Sequence, residues 1–338
     1  MYHPGRSIRL RSSARSDRGR VRQNNEDSVH LWDADTSVLA VVADGMGGAV
    51  AGEEASRIAI ETIQGKLTTA YYRSPDDYSQ YDSEELAELL GDAVREANDN
   101  IMEKVGIDPE LKGMGTTVTM AFARANDVIL AHVGDSRAYY IDSSDESIEQ
   151  LTSDHSFVQA LVDAGHITDA EAENHPMKNV LYRALGQADD LDVDVLMDIR
   201  IHAGDRLLLC SDGLTLHVNA EEIAKTAMSS DDPQVISDKL VNLANERGGK
   251  DNVSVIVIVA EWQEEKENAI ASADAETVIP LTNGEDEPTI PMNPDYLNVT
   301  RANPSLDTIE TKDDPQATQE TPSAGIYGEG NDSFDMLF

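Results

Sequence analysis

The apolar positions of this chain fall into short continuous runs separated by stretches with helical spacing. The run VLAVVAD (38–44) has strand length and stops at the turn dipeptide Asp44-Gly45, as a buried strand does. Glycines follow, then a helix over about 51–67, a polar loop containing tyrosines, and a second helix from Ser83 to about residue 105. In that second helix Leu86, Leu89, Leu90, Ala93, Val94, Ala97 and Ile101 recur at three-and-four spacing, which predicts one buried face, with Ser83 as its N-cap. From Gly115 the period shortens. TTVTMAFA, DVILAHVGD and SRAYYID read as an antiparallel meander with turns at 125–127 and 134–135. A strand near 148–151 precedes a polar, helical stretch over 153–186 that interrupts the β pattern and is the candidate for a mobile insert. Strands resume near 193–201 and 206–211, helices cover about 220–228 and 233–246, and the last strand spans 253–260. Blocks of strands and helices without strict alternation predict an α+β layered domain with antiparallel sheets.

The two ends lack such patterning. Residues 1–14 are basic and patternless and read as a loose, flexible arm leading into a catalytic domain over 15–262. After Trp262 the composition turns to Asp, Glu, Thr, Pro and Asn, too poor in large apolar side chains to offset chain entropy, so 263–338 reads as an acidic disordered tail. Within it ETVIPL (276–281) and EPTIPM (287–292) form a degenerate repeat, and DSFDMLF closes the chain. These segments are either docking motifs or parts of a solubilising low-complexity tail.

Charge narrows the partners. In 338 residues, 64 acidic against 26 basic side chains give a formal net charge of -38, which disfavours nucleic acid and anionic membrane surfaces. Cations, or proteins with basic faces, are the expected partners. No apolar stretch approaches the ~20 residues of a bilayer span. The lone Cys210 excludes a disulfide framework, fits a reducing, cytoplasmic compartment and reads as a small buried hydrophobe.

Asp-Gly alone is a common turn, so placement carries the chemical argument. Asp44 and Asp212 each follow an apolar run (VLAVVAD, RLLLCSD) and precede glycine; Asp135 lies in VGDSR, and Asp251 opens DNVSVIVIV before the final strand. Four strand-edge aspartates brought to one end of a sheet pair repel one another as bare anions, and bound cations remove that penalty. Oxygen-only ligands, without a Cys pair or HExxH spacing, select hard ions, Mn2+ or Mg2+, over Zn2+. Two such ions about 4 Å apart activate a water for in-line attack at phosphorus. Arg22, just upstream of the Glu26-Asp27 pair, offers a planar fork for phosphoryl oxygens.

The ordered set VRQNNEDS, VVADGMGG, GMGTTVT, HVGDSRAYYI, LTSDHSFVQALVDAGHIT, NVLYRALG, DRLLLCSDGL and GGKDNVSVIVI closely resembles the PPM (PP2C-type) metal-dependent protein phosphatases of bacteria, over about residues 16–259. The resemblance implies a four-layer α-β-β-α sandwich with the metal centre at one end. It implies hydrolysis of phosphoserine and phosphothreonine monoesters by a water bridging the metals, opposing Ser/Thr kinases. It implies that Asp44 bridges two metals, Gly45 offers a backbone carbonyl, Asp212 and Asp251 complete the first site, and Asp135 with Asp212 holds a third ion. By the same likeness Arg22 binds phosphate, Glu26 and Asp27 lie near the metal-bound waters, and 153–186 is the flap. Phosphorylated proteins, a Ser/Thr kinase among them, are the implied partners of a monomeric enzyme. One position departs from the eukaryotic pattern: Met46 stands where those relatives have a histidine, leaving a metal-bound water or His155 as proton donor, unless His155 orients the flap by hydrogen bonding. Two other readings are a catalytically silent relative that binds phosphoproteins, against which the complete set of aspartates and Arg22 speaks, and a phosphatase of small phosphoesters.

Overall fold

The computed structural model describes residues 7–68 and 74–263. The acidic tail, its repeat and the first six residues of the basic arm lie outside the described residues. Two antiparallel sheets are stacked. One has the order β1 (Ile8–Asp17), β11 (Val253–Trp262), β10 (Arg206–Cys210), β7 (Arg137–Ile141), β8 (Ile148–Gln150). The other runs β2 (Asp27–Asp33), β3 (Ser37–Met46), β5 (Val118–Arg124), β6 (Asp127–Val133), β9 (Asp194–Arg200), with the two-residue β4 (Gly115–Thr116) paired to the end of β3. Helices α1 (Ala49–Leu67) and α2 (Ser83–Ile107) cover the outer face of the second sheet, and α6 (Ala220–Ala227) and α7 (Pro233–Glu246) cover the first, with the one-turn α5 (Asp212–Thr215) directly after β10. The expected four-layer sandwich is therefore the observed one.

Strand period two explains how one apolar run serves two cores. Along β3, Leu39, Val41 and Ala43 face α1 and α2, while Val38, Ala40 and Val42 enter the layer between the sheets. In β11, Val253, Val255, Val257 and Val259 pack under α6 and α7, and Ile256, Ile258 and Ala260 join the middle layer. Both strands read as unbroken hydrophobic runs because both of their faces are covered.

Three expectations need correction. The arm is ordered from Ile8 onward: β1 pairs with β11 over ten residues, Ile8 opposite Trp262 and Asp17 opposite Val253. Leu10 is buried and Ile8 and Ala14 pack against the middle layer, whereas Arg9, Arg11 and Arg15 point outward to Glu261, Asp35, Asp232 and Asp238. The arginines that made this segment look patternless lie on the outer face of a strand, half exposed, with Ser13 between them bonded to Ser237 of α7. The cap of α2 is Asp82, not Ser83; its carboxylate accepts the Glu85 N–H at 2.9 Å while Glu85 accepts the Asp82 N–H at 3.0 Å. Glu three residues after Asp82 closes this reciprocal box, which Ser83 cannot form with Leu86. The 153–186 insert is only partly helical, with α3 (Phe157–Asp163) and α4 (Asp169–Ala172). Gly165, at φ 71°, ends α3 in a left-handed cap. Bridges Ser156↔Leu181 and Thr116↔Leu185 close the insert at its base.

At the start of β10 one buried carboxylate collects four hydrogen bonds and ties residues 140–143 to 202–205. Asp205 accepts hydrogen bonds from Tyr140 Oη (2.7 Å), the Ser143 N–H and hydroxyl (both 3.0 Å) and the His202 N–H (2.7 Å). Burial pushes its pKa up, but the donors outweigh burial and hold it below the ordinary carboxylate value. Asp205→Ala leaves these donors unpaired and is expected to cost about 2–4 kcal/mol, read by urea unfolding. The depressed pKa fixes the sign: the lost contribution is present above the ordinary carboxylate pKa and fades as pH falls through the folded value. The gap between wild type and variant should therefore narrow on acidification; a gap independent of pH would contradict the assignment.

Candidate active site

The strands deliver their aspartates to one cleft. Asp44 and Gly45 lie at the end of β3, Asp135 in the β6–β7 turn, Asp212 just after β10 and Asp251 just before β11. All five line a single opening of about 560 Å³, together with Arg22, Glu26 and Met46. The backbone around Asp44 is fixed from both sides. Its carbonyl accepts the Thr117 N–H and the Thr116 hydroxyl (both 2.9 Å), and its N–H donates to Thr117 Oγ1 at 3.0 Å. Thr117 Oγ1 lies 2.8 Å from the Ser136 hydroxyl, so one threonine links the Asp44 strand to the turn that carries Asp135.

Glycine after Asp44 and after Asp212 is a packing requirement here. A Cβ on Gly45 would sit 2.1 Å from the Gly52 carbonyl oxygen, and one on Gly213 would sit 1.8 Å from that of Asn252. Neither neighbour is a flexible side chain, so any larger residue would push apart the segments that bring the carboxylates together.

Electrostatics set the character of the cleft. Burial first, then the charges of Asp27, Asp212, Asp135 and Asp251, holds Asp44 well above the ordinary carboxylate range. Burial pushes Asp135 up to about 8, with Asp212 and Asp154 adding to it and Arg137 opposing. Asp212 is raised to about 6 by burial and Asp251, against a hydrogen bond shared with Asp44 and the fields of Arg22 and Arg137. Asp27, the cross-strand partner of Asp44, is raised to about 7 by burial, although the Ser211 and Ser254 hydroxyls both donate to its Oδ2 at 2.8 and 2.7 Å. Its buried Oδ1 has no hydrogen-bond partner. Arg22 reaches Asp251 Oδ2 at 2.8 Å and Glu26 at 3.6 Å, with its side chain about half exposed to the cleft.

Among the described residues, no three His, Cys, Asp or Glu side chains already converge as a closed metal cage. Asp251 turns to Arg22, and Asp44 shares a hydrogen bond with Asp212. What fits a hard cation is the donor chemistry: four aspartates in one cleft, three of them driven towards protonation by burial and neighbouring carboxylates, and an unpaired buried oxygen on Asp27.

His155 belongs elsewhere. It does not line this cleft and is 2% exposed. Its Nδ1 accepts the Gly134 N–H at 3.0 Å, and its own N–H donates to the Gly134 carbonyl at 2.7 Å. Its Nε2 lies 3.1 Å from Arg183 Nη1 and 3.2 Å from Asp194 Oδ2, so both ring nitrogens are engaged. A ring committed on both nitrogens is no proton donor to the cleft; it ties the base of the flap to the turn before Asp135. Of the alternatives read from the sequence, the orienting role is the one this geometry supports. Met46 does line the cleft.

Several supporting residues escaped the sequence reading: Thr117, Ser211, Ser254 and Asn252. Each is small, polar and buried; Ser211, Ser254 and Asn252 lie inside motifs whose aspartates drew attention, and Thr117 lies in GMGTTVT, which has none.

A family model described as Protein phosphatase 2C matches residues 17–249. The chain is 41% identical over 249 residues to the serine/threonine protein phosphatase PstP of Mycobacterium tuberculosis, covering 73% of this chain and 44% of that protein. It therefore spans less than half the length of that relative. It is 36% identical over 252 residues to the serine/threonine phosphatase stp of Listeria monocytogenes, covering 74% of this chain and 95% of the relative. The crystal structure of the PstP catalytic domain in complex with two manganese ions superimposes with a TM-score of 0.64 at 38% identity, over 75% of this chain and all of that one. Fold, motif order and these likenesses agree: the chain belongs to the protein phosphatase 2C family.

Proposed function

We propose that this chain is a metal-dependent protein serine/threonine phosphatase that hydrolyses phosphoserine and phosphothreonine monoesters. The observation that carries the reading is the collection of Asp44, Asp135, Asp212 and Asp251 in one cleft beside Arg22. Asp44, Asp212, Asp251 and the Gly45 carbonyl are the proposed holders of two Mn2+ or Mg2+ ions, and Asp135 with Asp212 of a third. Bound there, such ions supply Lewis-acid activation of water and charge stabilisation at phosphorus. That PstP binds two manganese ions supports the choice of metal.

The protein's own groups do the rest. Arg22, half exposed and tethered through Asp251, presents its fork to the phosphoryl oxygens. Asp27, held on Oδ2 by two serines and titrating near neutrality, offers Oδ1 as an acceptor for a proton or an ordered water. With His155 committed to Gly134 and Asp194, and Met46 unable to donate, the leaving oxygen takes its proton from water in the open cleft. Phosphoproteins are the proposed substrates, with a Ser/Thr kinase among the partners, in signalling by a monomeric cytoplasmic enzyme. The single cysteine supports a reducing compartment: it is buried, and burial pushes its thiol up to about 12. Among the described residues no helix is long and apolar enough to cross a membrane.

On a phosphothreonine peptide, turnover is expected with Mn2+, to vanish with EDTA and to return on adding Mn2+; undiminished activity in the chelated enzyme would sink the metal reading. Asp212→Asn, which changes a ligand assigned to two ions, is expected to lower kcat/KM by about 100-fold or more while thermal unfolding stays cooperative. A rate near wild type would remove Asp212 from the site.

The raised carboxylates also make a stability prediction. Their folded pKa values exceed the unfolded ones, so their contribution is fully present below the ordinary carboxylate pKa and is lost as pH rises through about 6 for Asp212, 7 for Asp27 and 8 for Asp135. In chelator, the melting temperature should fall across that window. Saturating Mn2+ should flatten the fall, and Asp135→Asn should remove its upper part. A profile that is the same with and without Mn2+ would show that the carboxylates do not share a site.

A further inference from the structure

The proposed phosphate anchor, Arg22, sits in the middle of a segment, 18–26, that has no regular secondary structure between β1 and β2. Bidentate recognition of a phosphoryl group demands a fixed guanidinium plane, and a half-exposed ion pair to Asp251 contributes too little to fix it alone. Something must hold the backbone beneath it.

That backbone is gripped by one amide. Asn252 is 3% exposed, and its Nδ2 donates to the carbonyls of Arg18 and Asn24, both at 2.9 Å. Its Oδ1 accepts the Glu26 N–H at 2.8 Å. Both donor hydrogens and one acceptor site are thus spent on main-chain groups that bracket Arg22 on either side. The neighbouring turn completes the seat: the Arg20 and Val21 N–H groups both donate to the Gly249 carbonyl, at 2.7 and 3.2 Å. Adjacent residues at the start of β11 therefore divide the task, Asp251 taking the Arg22 side chain and Asn252 the backbone that carries it.

We propose that Asn252 is a positioning residue for phosphate recognition, acting through Arg22 and not through the carboxylates. The chemistry requires an amide. A carboxylate at this position would face two carbonyl oxygens without a proton for either, beside Glu26, and an alanine would take this partner from three main-chain groups, the buried Glu26 N–H among them. The Asn252 N–H to Asp251 Oδ1 bond, at 2.9 Å, is made by the backbone and survives either change, so the Asp251 carboxylate keeps its local support.

The inference rests on Arg22 being the phosphate anchor, and the test separates the two. Calorimetric titration of inorganic phosphate into the full chain in saturating Mn2+ reads phosphate affinity without turnover. Mn2+ affinity is titrated separately, and Arg22→Ala, Asn252→Asp, Asn252→Ala and the double variants are compared with wild type. Arg22→Ala is expected to weaken phosphate by about tenfold or more, and each Asn252 variant by a similar factor. The double variants should bind no more weakly than Arg22→Ala alone, and Mn2+ affinity should stay at the wild-type value. Should Asn252→Ala fold poorly, Asn252→Asp, which keeps the acceptor for Glu26, carries the comparison. Wild-type phosphate affinity in the Asn252 variants, factors that multiply in the double variants, or a loss of Mn2+ affinity overturns the proposal while the role of Arg22 stands. Unchanged phosphate binding in Arg22→Ala overturns both.

Discussion

Mutual repulsion among carboxylates is the constraint around which this molecule is organised. Burial raises the pKa values of Asp27, Asp44, Asp135 and Asp212, a neighbouring carboxylate adds to the shift in each, and an isolated domain gains nothing from gathering them. They are held together by hydrophobic burial elsewhere: three apolar layers fix the strands, and the strand ends have no freedom to separate. The site is a local cost borne by a global fold, as expected where function and stability compete.

The sandwich suits this purpose because its strands from both sheets end at one pole. β3 belongs to one sheet and β10 and β11 to the other, so ligands facing each other across the cleft come from different layers. Small hydrogen-bonding residues then adjust the geometry. Thr117 couples the Asp44 strand to the Asp135 turn, and Ser211 and Ser254 together hold Asp27. On the flap side His155 clasps Gly134 twice, while the Arg137 guanidinium, paired with Asp154 at 2.7 Å, is the cation that tempers Asp135.

Much of this was legible before any coordinates. Asp44 and Asp212 stood out because unbroken apolar runs stop at them, and a run without polar alternation marks a strand covered on both faces. β1 was missed because its outward arginines drowned a weak alternation whose inner face, Ile8, Leu10 and Ala14, has few large side chains. The cap of α2 was misplaced by one residue because both candidates can cap and only the reciprocal partner, Glu85, decides. Asn252 was opaque for a different reason. Its partners lie more than 200 residues away, and a single polar contact leaves no period in the sequence.

The pairing of β1 with β11 also fixes the polarity of the molecule. Asp17 and Val253 meet at the cleft pole, and Ile8 and Trp262 meet at the far one. Ten strand residues at about 3.3 Å each put roughly 30 Å between those two points. The strand ends Ile8 and Trp262 thus mark the pole opposite the aspartate cleft, and a change at that edge of the sheet reaches the carboxylates only through the full length of two paired strands.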